Sequence, residues 1–411
     1  MSASPTAQEQ LLIELINRAR MDPAGEAARY GIDLNQGLAP GTLSAAPLAP
    51  LAGNALLHAA SAGQSVWMLR SGVFSHTGRG GSAPWDRFED EGYRWTAAGE
   101  NIVWRGTTGG LDPTAAVLGH HRTLFLSAAH RENILGEFRE IGVAQAMGRF
   151  QGYNASLVTE GFASAAGRAF VTGVAYTDRD GDRFYDAGEG RSGVRVDWLG
   201  DRGGAVATAA AGGYAVAVPL GLEGAARVAV AVGGATINAT LTMDGGNAKL
   251  DVIGGRILAA SESLALGAGA RDGLLLGIED LRLVGNGAAN RLVGNRGDNV
   301  VSGGGGDDAL RGGAGDDMLF GGAGDDRFTG GSGRDTFAFV AGGGTGDDVI
   351  TDLAAGDRLR VDVAGAPREA AWIAGQAEAE AGGWRLDLGD GASVLVLGVG
   401  QAALADALVL A

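Results

Sequence analysis

A chain of 411 residues is longer than one hydrophobic core can serve, so two to four domains are expected. A formal net charge of -16 with no cysteine excludes a phosphate-neutralising nucleic-acid surface, docking on anionic lipid, a disulfide framework, thiolate metal sites and a cysteine nucleophile. The 45% hydrophobic and 19% charged content is ordinary for folded protein, but 74 glycines need a structural cause, and they cluster late. The single lysine, Lys249, is ascribed at this level to genome composition.

The start, Met1 to Gln10, is polar, and the apolar residues after it are interrupted by Glu14, Asn17, Arg18 and Arg20. No leader-peptide core and no transmembrane segment of roughly 18 apolar residues is read. The expectation is a protein that stays inside or leaves by a route without an N-terminal signal. Leu11, Leu12, Leu15, Ile16 and Ala19 recur at helical spacing, with Pro5-Thr6 ahead and Asp22-Pro23 behind, and predict a first helix over 8–21. Further helices are predicted from Leu56 to Leu69, from Trp85 to Glu91, and after Asp112-Pro113, where a capping side chain precedes a first-turn proline. From Glu140 the pattern becomes strand-like: Ile141 and Val143, then Leu157 and Val158, flank Gly148 to Asn154 and predict a hairpin ending near Ser164.

Four motifs lie in this region: Phe74-Ser-His76-Thr-Gly, Gly99-Glu100-Asn-Ile, Ser127-Ala-Ala-His130-Arg-Glu-Asn133-Ile-Leu, and Ile141-Gly-Val. Together, over roughly residues 8–165 and in this order, they resemble the bacterial branch of the CAP superfamily (cysteine-rich secretory, antigen 5 and pathogenesis-related proteins, also called SCP). The resemblance implies an α-β-α sandwich with an open cavity holding two histidines and usually two acids. By motif these are His76, His130 and Glu100, with Ser127 where many animal members carry the second glutamate. Two neutral imidazoles and a carboxylate can hold zinc, magnesium or a similar ion, or move protons if the acid orients one histidine. His120 and His121, on the helix before, are expected to be surface residues or to back the cavity. No oxyanion hole or nucleophile elbow is visible.

Past Gly167 helical periodicity ends, and short segments such as Tyr214–Val218, Val228–Val232 and Ala235–Thr242 alternate with glycine-rich turns, as in a small β-sandwich. Asp178, Asp180, Asp182, Asp186 and Glu189 place oxygen donors at positions 1, 3, 5, 9 and 12 of a loop, with the Phe184 carbonyl at 7. That is EF-hand-like calcium spacing. Arg183 stands at position 6, where glycine usually turns the chain, and Gly181 is expected to relieve part of the strain. With Gly193-Val-Arg-Val-Asp-Trp and Gly213-Tyr-Ala-Val the loop resembles the calcium-binding β-sandwich repeats of bacterial surface proteins; a solvated acidic turn is the alternative.

The clearest signal has period nine. Units of the form G-G-x-G-x-D-x-U-x begin at Gly303, Gly312, Gly321 and Gly330, preceded by degenerate units at Gly285 and Gly294 with Asn290 and Asn299 in place of aspartate. Six residues make a glycine-permitted turn and x-U-x a short strand, so Leu310, Leu319, Phe328 and Phe337 should stack as a thin core. Asp308, Asp317, Asp326 and Asp335 then fall on adjacent turns, where carboxylates and carbonyls suit a hard cation of calcium's size. A core one side chain wide cannot offset chain entropy against rows of like charge, so the array should order only with metal. A phosphate cradle is excluded by the missing Lys-Ser/Thr pair.

The array resembles the RTX repeats of proteins exported by one-step type I systems. Gly346–Leu353 and Gly356–Leu359 are similar to the segment that caps such rolls, and Asp406–Ala411 to the uncleaved export signal of the group, or else to a final buried strand. Residues 256–275 and 364–400 carry no readable motif. The expected chain is multidomain, α+β and all-β: an α-β-α sandwich CAP domain over 1–165, a small calcium-binding β-sandwich over 168–255, a parallel β-roll over 276–340, and a β cap with the secretion signal over 341–411. The resemblances imply a secreted or cell-surface protein that folds on extracellular calcium. Its partners would be calcium ions, the type I secretion machinery and an unknown small ligand, lipid or surface. The cavity would bind a metal ion or lipid-like ligand; the alternatives are a hydrolase using it and an adhesive or structural module.

Overall fold

The structure is a computed structural model that describes residues 4–200, 203–341, 346–363, 377–389 and 391–410. Residues 364–376 of the motif-free segment and Ala411 of the tail lie outside the described residues. The chain divides into two compact units, one comprising Met1–Gly224, Val230–Gly234 and Met243–Gly255, the other Ala225–Ala229, Ala235–Thr242 and Arg256–Ala411.

In the first unit, α1 (Ala7–Met21) opens on a capping box in which Thr6 and Glu9 satisfy each other's backbone N–H, and Asp22 ends it and caps α2 (Pro23–Arg29). After β1 (Ala52–Gly53), α3 (Ala55–Ser71) starts at the Asn54 cap and stops at Gly72 in the left-handed region. Then follow α4 (Pro84–Asp90), β2 (Ala97–Thr107), α5 (Pro113–Leu126, capped by Asp112), α6 (Ala128–Ile134), β3 (Glu140–Phe150) and β4 (Tyr153–Ser164). The four strands form one sheet in the order β1-β3-β4-β2, with β3 and β4 a long hairpin turning at Gln151-Gly152.

Helices cover both faces of this sheet. On β4, the Thr159 hydroxyl lies 2.8 Å from Ser65 Oγ of α3, while Ser156, three residues earlier and therefore on the opposite face, meets His120 of α5 at 2.9 Å. The region is thus an α-β-α sandwich. α3 lies so close to β3 that a Cβ on Gly142 would sit 2.0 Å from the Leu57 carbonyl carbon, which is the physical content of the Ile-Gly-Val motif. Ser61 and Ser65 donate to the carbonyls of Gly142 and Ala144 at 2.9 and 3.0 Å and rivet the helix to the strand.

Beyond Gly167, β5 (Arg168–Tyr176) lies between Gly213–Pro219, antiparallel, and Ala248–Ile253, parallel, while Arg195–Trp198 pairs with Ala205–Ala207 in a second sheet. In the second unit the nonapeptides wind a parallel β-solenoid in which partners lie two units apart: Leu292 pairs with Leu310 and Leu310 with Phe328, Val301 with Leu319 and Leu319 with Phe337. Alternate apolar residues therefore come from opposite sheets and meet in the middle, with the rings of Phe328 and Phe337 edge to face at 6.2 Å. Parallel pairing already begins at Ile257–Ala260 and Ser263–Leu266, inside the segment that shows no motif. It ends with Leu408–Leu410 beside Leu359–Val361, after a helix over Gln401–Ala407.

Candidate functional site

Four motif residues of the N-terminal domain meet in two pairs. His76 Nδ1 is 2.9 Å from Glu100 Oε1, and the other oxygen of Glu100 accepts from Arg87. Arg87 also donates to the carbonyls of His76 and Ser82 at 3.1 and 3.0 Å, so one guanidinium fixes both the acid and the loop that presents the histidine. The Glu100 side chain is 2% exposed and that of His76 52%: the acid is a buried anchor and the imidazole faces outward. In the second pair His130 Nδ1 is 2.8 Å from Ser127 Oγ. Burial, then the nearby charge of His76, pushes the His130 pKa down, so its imidazole is neutral at neutral pH.

The motifs also interlock. Asn133 donates to Asn101 Oδ1 at 2.8 Å, and Asn101 donates to the His130 carbonyl at 3.2 Å, tying the strand of Glu100 to the helix of His130. Arg87 escapes sequence reasoning because an arginine on a short amphipathic helix reads as surface; the only local signal is its place one turn into a helix opened by Pro84. Of the two alternatives for His120 and His121, a surface position is excluded: both are fully buried. α5 is covered on two sides, so His120 meets Ser156 and His121 meets Glu26 at 2.9 Å, and desolvation lowers both pKa values, that of His120 to about 3. Among the described residues His76, Glu100 and His130 do not bring one ligand atom each within 4.8 Å of one another, so a zinc or magnesium site is not preformed there.

In the loop after β5 three of the expected ligands converge. Asp178, Asp180 and Asp182 each place a carboxylate oxygen within 4.8 Å of the others. The turn is held by side-chain-to-backbone bonds, from Gly181 N–H to Asp178 at 2.8 Å and from Phe184 N–H to Asp182 at 2.7 Å. Glu189 is turned toward backbone, accepting from Arg179 and Asp186 at 2.8 and 3.1 Å. Burial and then neighbouring carboxylates raise the Asp186 pKa. Arg183 takes φ +62° at the position where glycine is usual, and Gly181 φ +85°.

In the solenoid each of Asp308, Asp317, Asp326 and Asp335 uses Oδ1 to accept the N–H of the residue 18 positions earlier, at 2.7 to 3.0 Å. The Oδ2 atoms of all four are buried without a hydrogen-bond partner among the described residues. Desolvation accordingly pushes the carboxyls up, Asp308 and Asp317 to about 7 and Asp326 and Asp335 to about 6. Buried acceptor oxygens with no donor, repeated at a fixed interval, fit a hard divalent cation. Each carboxylate folds over the first glycine of its unit: a Cβ on Gly312 would sit 2.3 Å from Asp317 Oδ2. The ladder continues past the repeats, Asp326 N–H to Asp348 and Asp335 N–H to Asp357, both at 2.9 Å, at a spacing of 22 that a nine-residue pattern does not reveal.

Residues 284–319 and 303–337 match the family model of the RTX calcium-binding nonapeptide repeat. No curated protein matches the sequence. Among solved structures, an extracellular protein containing an SCP domain from Bacillus anthracis str. Ames is 20% identical with a TM-score of 0.26, covering 38% of this chain and 40% of that one. The extracellular lipase LipA from Serratia marcescens is 17% identical with a TM-score of 0.21, covering 35% and 41%. The chain thus spans well under half the length of either structure.

Proposed function

From a chain that carries RTX calcium-binding repeats at 284–337, we propose a secreted, calcium-dependent binding protein. Its solenoid orders on extracellular calcium, after export through a type I system, and its N-terminal cavity holds a ligand without turning it over. The observation that carries the calcium half is the row of four orphaned Oδ2 atoms: calcium supplies the positive partner each lacks, with Asp308, Asp317, Asp326 and Asp335 as ligands. Asp178, Asp180 and Asp182, with the Phe184 carbonyl, Asp186 and Glu189, form a second calcium site of weaker affinity, where the array is the calcium-dependent fold itself.

For the cavity, binding is favoured over hydrolysis by how the side chains are paired. Ser127 bonds His130, whereas the carboxylate of Glu100 bonds the other histidine, so among the described residues no acid is hydrogen-bonded to the serine's imidazole. His76, Glu100 and His130 therefore offer a polar mouth for a small, lipid-like or metal ligand; a metal would need a side-chain movement to gain its third donor. The test is titration of zinc, magnesium and a fatty acid into the full chain with calcium present, beside a His76→Ala/His130→Ala variant. Saturable binding lost in the variant supports the reading; ester turnover that requires His130 replaces it with the hydrolase, and adhesion untouched by the double variant replaces it with the surface module.

A further inference from the structure

The two degenerate units differ from the four regular ones in more than a missing charge. At Asn290 the amide Nδ2 donates to the Arg271 carbonyl at 2.8 Å, and Oδ1 accepts the N–H of Asn286 at 2.8 Å. At Asn299 Nδ2 donates to Asn295 Oδ1 at 3.0 Å, and Oδ1 accepts the N–H of Asn295 at 2.7 Å. Asn286 and Asn295 stand where the regular units carry their second glycine, and their amides reach back to the preceding coil. Asn286 donates to Gly267 and Ala270 at 3.0 Å each, Asn295 to Leu276 and Glu279 at 3.1 and 3.0 Å.

An amide N–H placed between oxygens does for them what a cation does in the regular units: it is the donor to groups that can only accept. No side-chain oxygen of Asn290 or Asn299 is left buried without a partner, whereas every regular unit from Asp308 onward leaves one. At the sixth position of each unit, Asn290 and Asn299 also replace two of the charged side chains whose like-charge repulsion opposes stacking of the aspartate turns. The backbone carbonyls that accept are those of Gly267, Ala270 and Arg271, inside the motif-free segment 256–275, and of Leu276 and Glu279 just after it, which gives this stretch a role as the floor on which the first coil closes.

We propose that the turns of Asn286–Asn290 and Asn295–Asn299 are closed by amides and take no calcium, and that this metal-free coil is the template on which the calcium-dependent units from Gly303 onward wind. The proposal rests on the calcium reading above for what happens beyond Gly303, but the order of the asparagine coil does not depend on it. Folding a solenoid is costly at the first coil and cheap thereafter, because each added unit meets a finished neighbour. A preformed coil removes that first cost, so calcium acts on propagation alone.

The test is hydrogen exchange of the full chain in EGTA and in calcium, with the number of bound calcium ions counted by equilibrium dialysis, for the parent and for Asn290→Asp/Asn299→Asp. In EGTA, peptides covering 282–302 are expected to exchange at least tenfold more slowly than those covering 309–337, and calcium to erase the difference. The double variant should lose the EGTA protection of 282–302 and bind more calcium. Equal exchange on the two sides of Gly303 in EGTA overturns the proposal, as does a double variant that keeps both protection and stoichiometry. An array that binds no calcium overturns the reading under Proposed function instead, while the EGTA comparison across Gly303 still decides this one.

Discussion

The ammonium of Lys249 lies 2.8 Å from the carboxylate of Glu14. It also bonds Asp251, which takes the Val174 N–H at 2.9 Å, and Gln10 donates to the other oxygen of Glu14 at 2.8 Å. The lysine that composition alone ascribes to genome bias is the cation joining α1 of the N-terminal sandwich to the strand Ala248–Ile253. Desolvation works against its charge, but Asp251 and Glu14 outweigh it and keep it protonated. Removing one member of a buried set leaves uncompensated charge, so Lys249→Met should cost about 3–5 kcal/mol in urea unfolding of the full chain. Adding Glu14→Gln should recover part of the loss. A single variant within about 0.5 kcal/mol of the parent contradicts the role.

Gly142 lies under the backbone of α3. A methyl group there meets the carbonyl carbon of Leu57 at 2.0 Å, and backbone cannot step aside as a flexible side chain can. Gly142→Ala is expected to destabilise the domain by about 3 kcal/mol or more. Gly110→Ala, where a Cβ meets nothing within 4 Å, should stay within about 0.5 kcal/mol. Thermal midpoints of the two variants side by side check the contrast.

Glu160 is fully buried in β4; Asn101 donates to Oε2 at 3.0 Å and Oε1 has no partner among the described residues. Burial pushes its carboxyl up to about 8 from 4.5. The folded chain therefore holds this proton more tightly than the unfolded one. The stability it contributes is full below about pH 4.5 and is lost as the pH rises to 8. Each unit is worth ~1.4 kcal/mol, so a difference on the order of a few kcal/mol is expected across that window. Glu160→Gln should flatten the slope of urea stability against pH; an unchanged slope places the titration elsewhere.

Arg183 is held at φ +62°, where a side chain costs on the order of 1 kcal/mol and glycine costs little. Arg183→Gly should tighten calcium binding at the Asp178–Glu189 loop roughly fivefold, measured by calorimetry in the background of an Asp308→Asn/Asp317→Asn/Asp326→Asn/Asp335→Asn array. Weaker binding would mean that the arginine side chain itself supports the loop.

Chelation should strip the regular coils of their strands. With EGTA, the circular dichroism of the full chain should lose β signal in proportion to the units from Gly303 onward, and calcium should restore it. Asp326→Asn exchanges an orphaned oxygen for an amide donor and should lower the calcium count while leaving the coil able to close. An unchanged spectrum in EGTA removes calcium as the organiser of the array.

What the amino-acid sequence determined by itself was whatever follows a short, self-repeating or local rule. A period of nine says that Leu310, Leu319, Phe328 and Phe337 share one thin core and that Asp308, Asp317, Asp326 and Asp335 recur on successive turns, because in a solenoid equivalent positions are found by counting; that strand partners lie two units apart is seen only in the fold. Helix starts at Thr6 and Asp112 are likewise written in the residues next to them. The tertiary structure alone decided the rest, because the partners are far apart in the chain and their meeting depends on packing. Arg87 joins Glu100 only once α4 lies beside β2. His121 is buried only because Glu26 of α2 closes over α5. Lys249 acquires its purpose 235 positions from Glu14, where the cost of burying a charge forces an opposite charge to be brought to it.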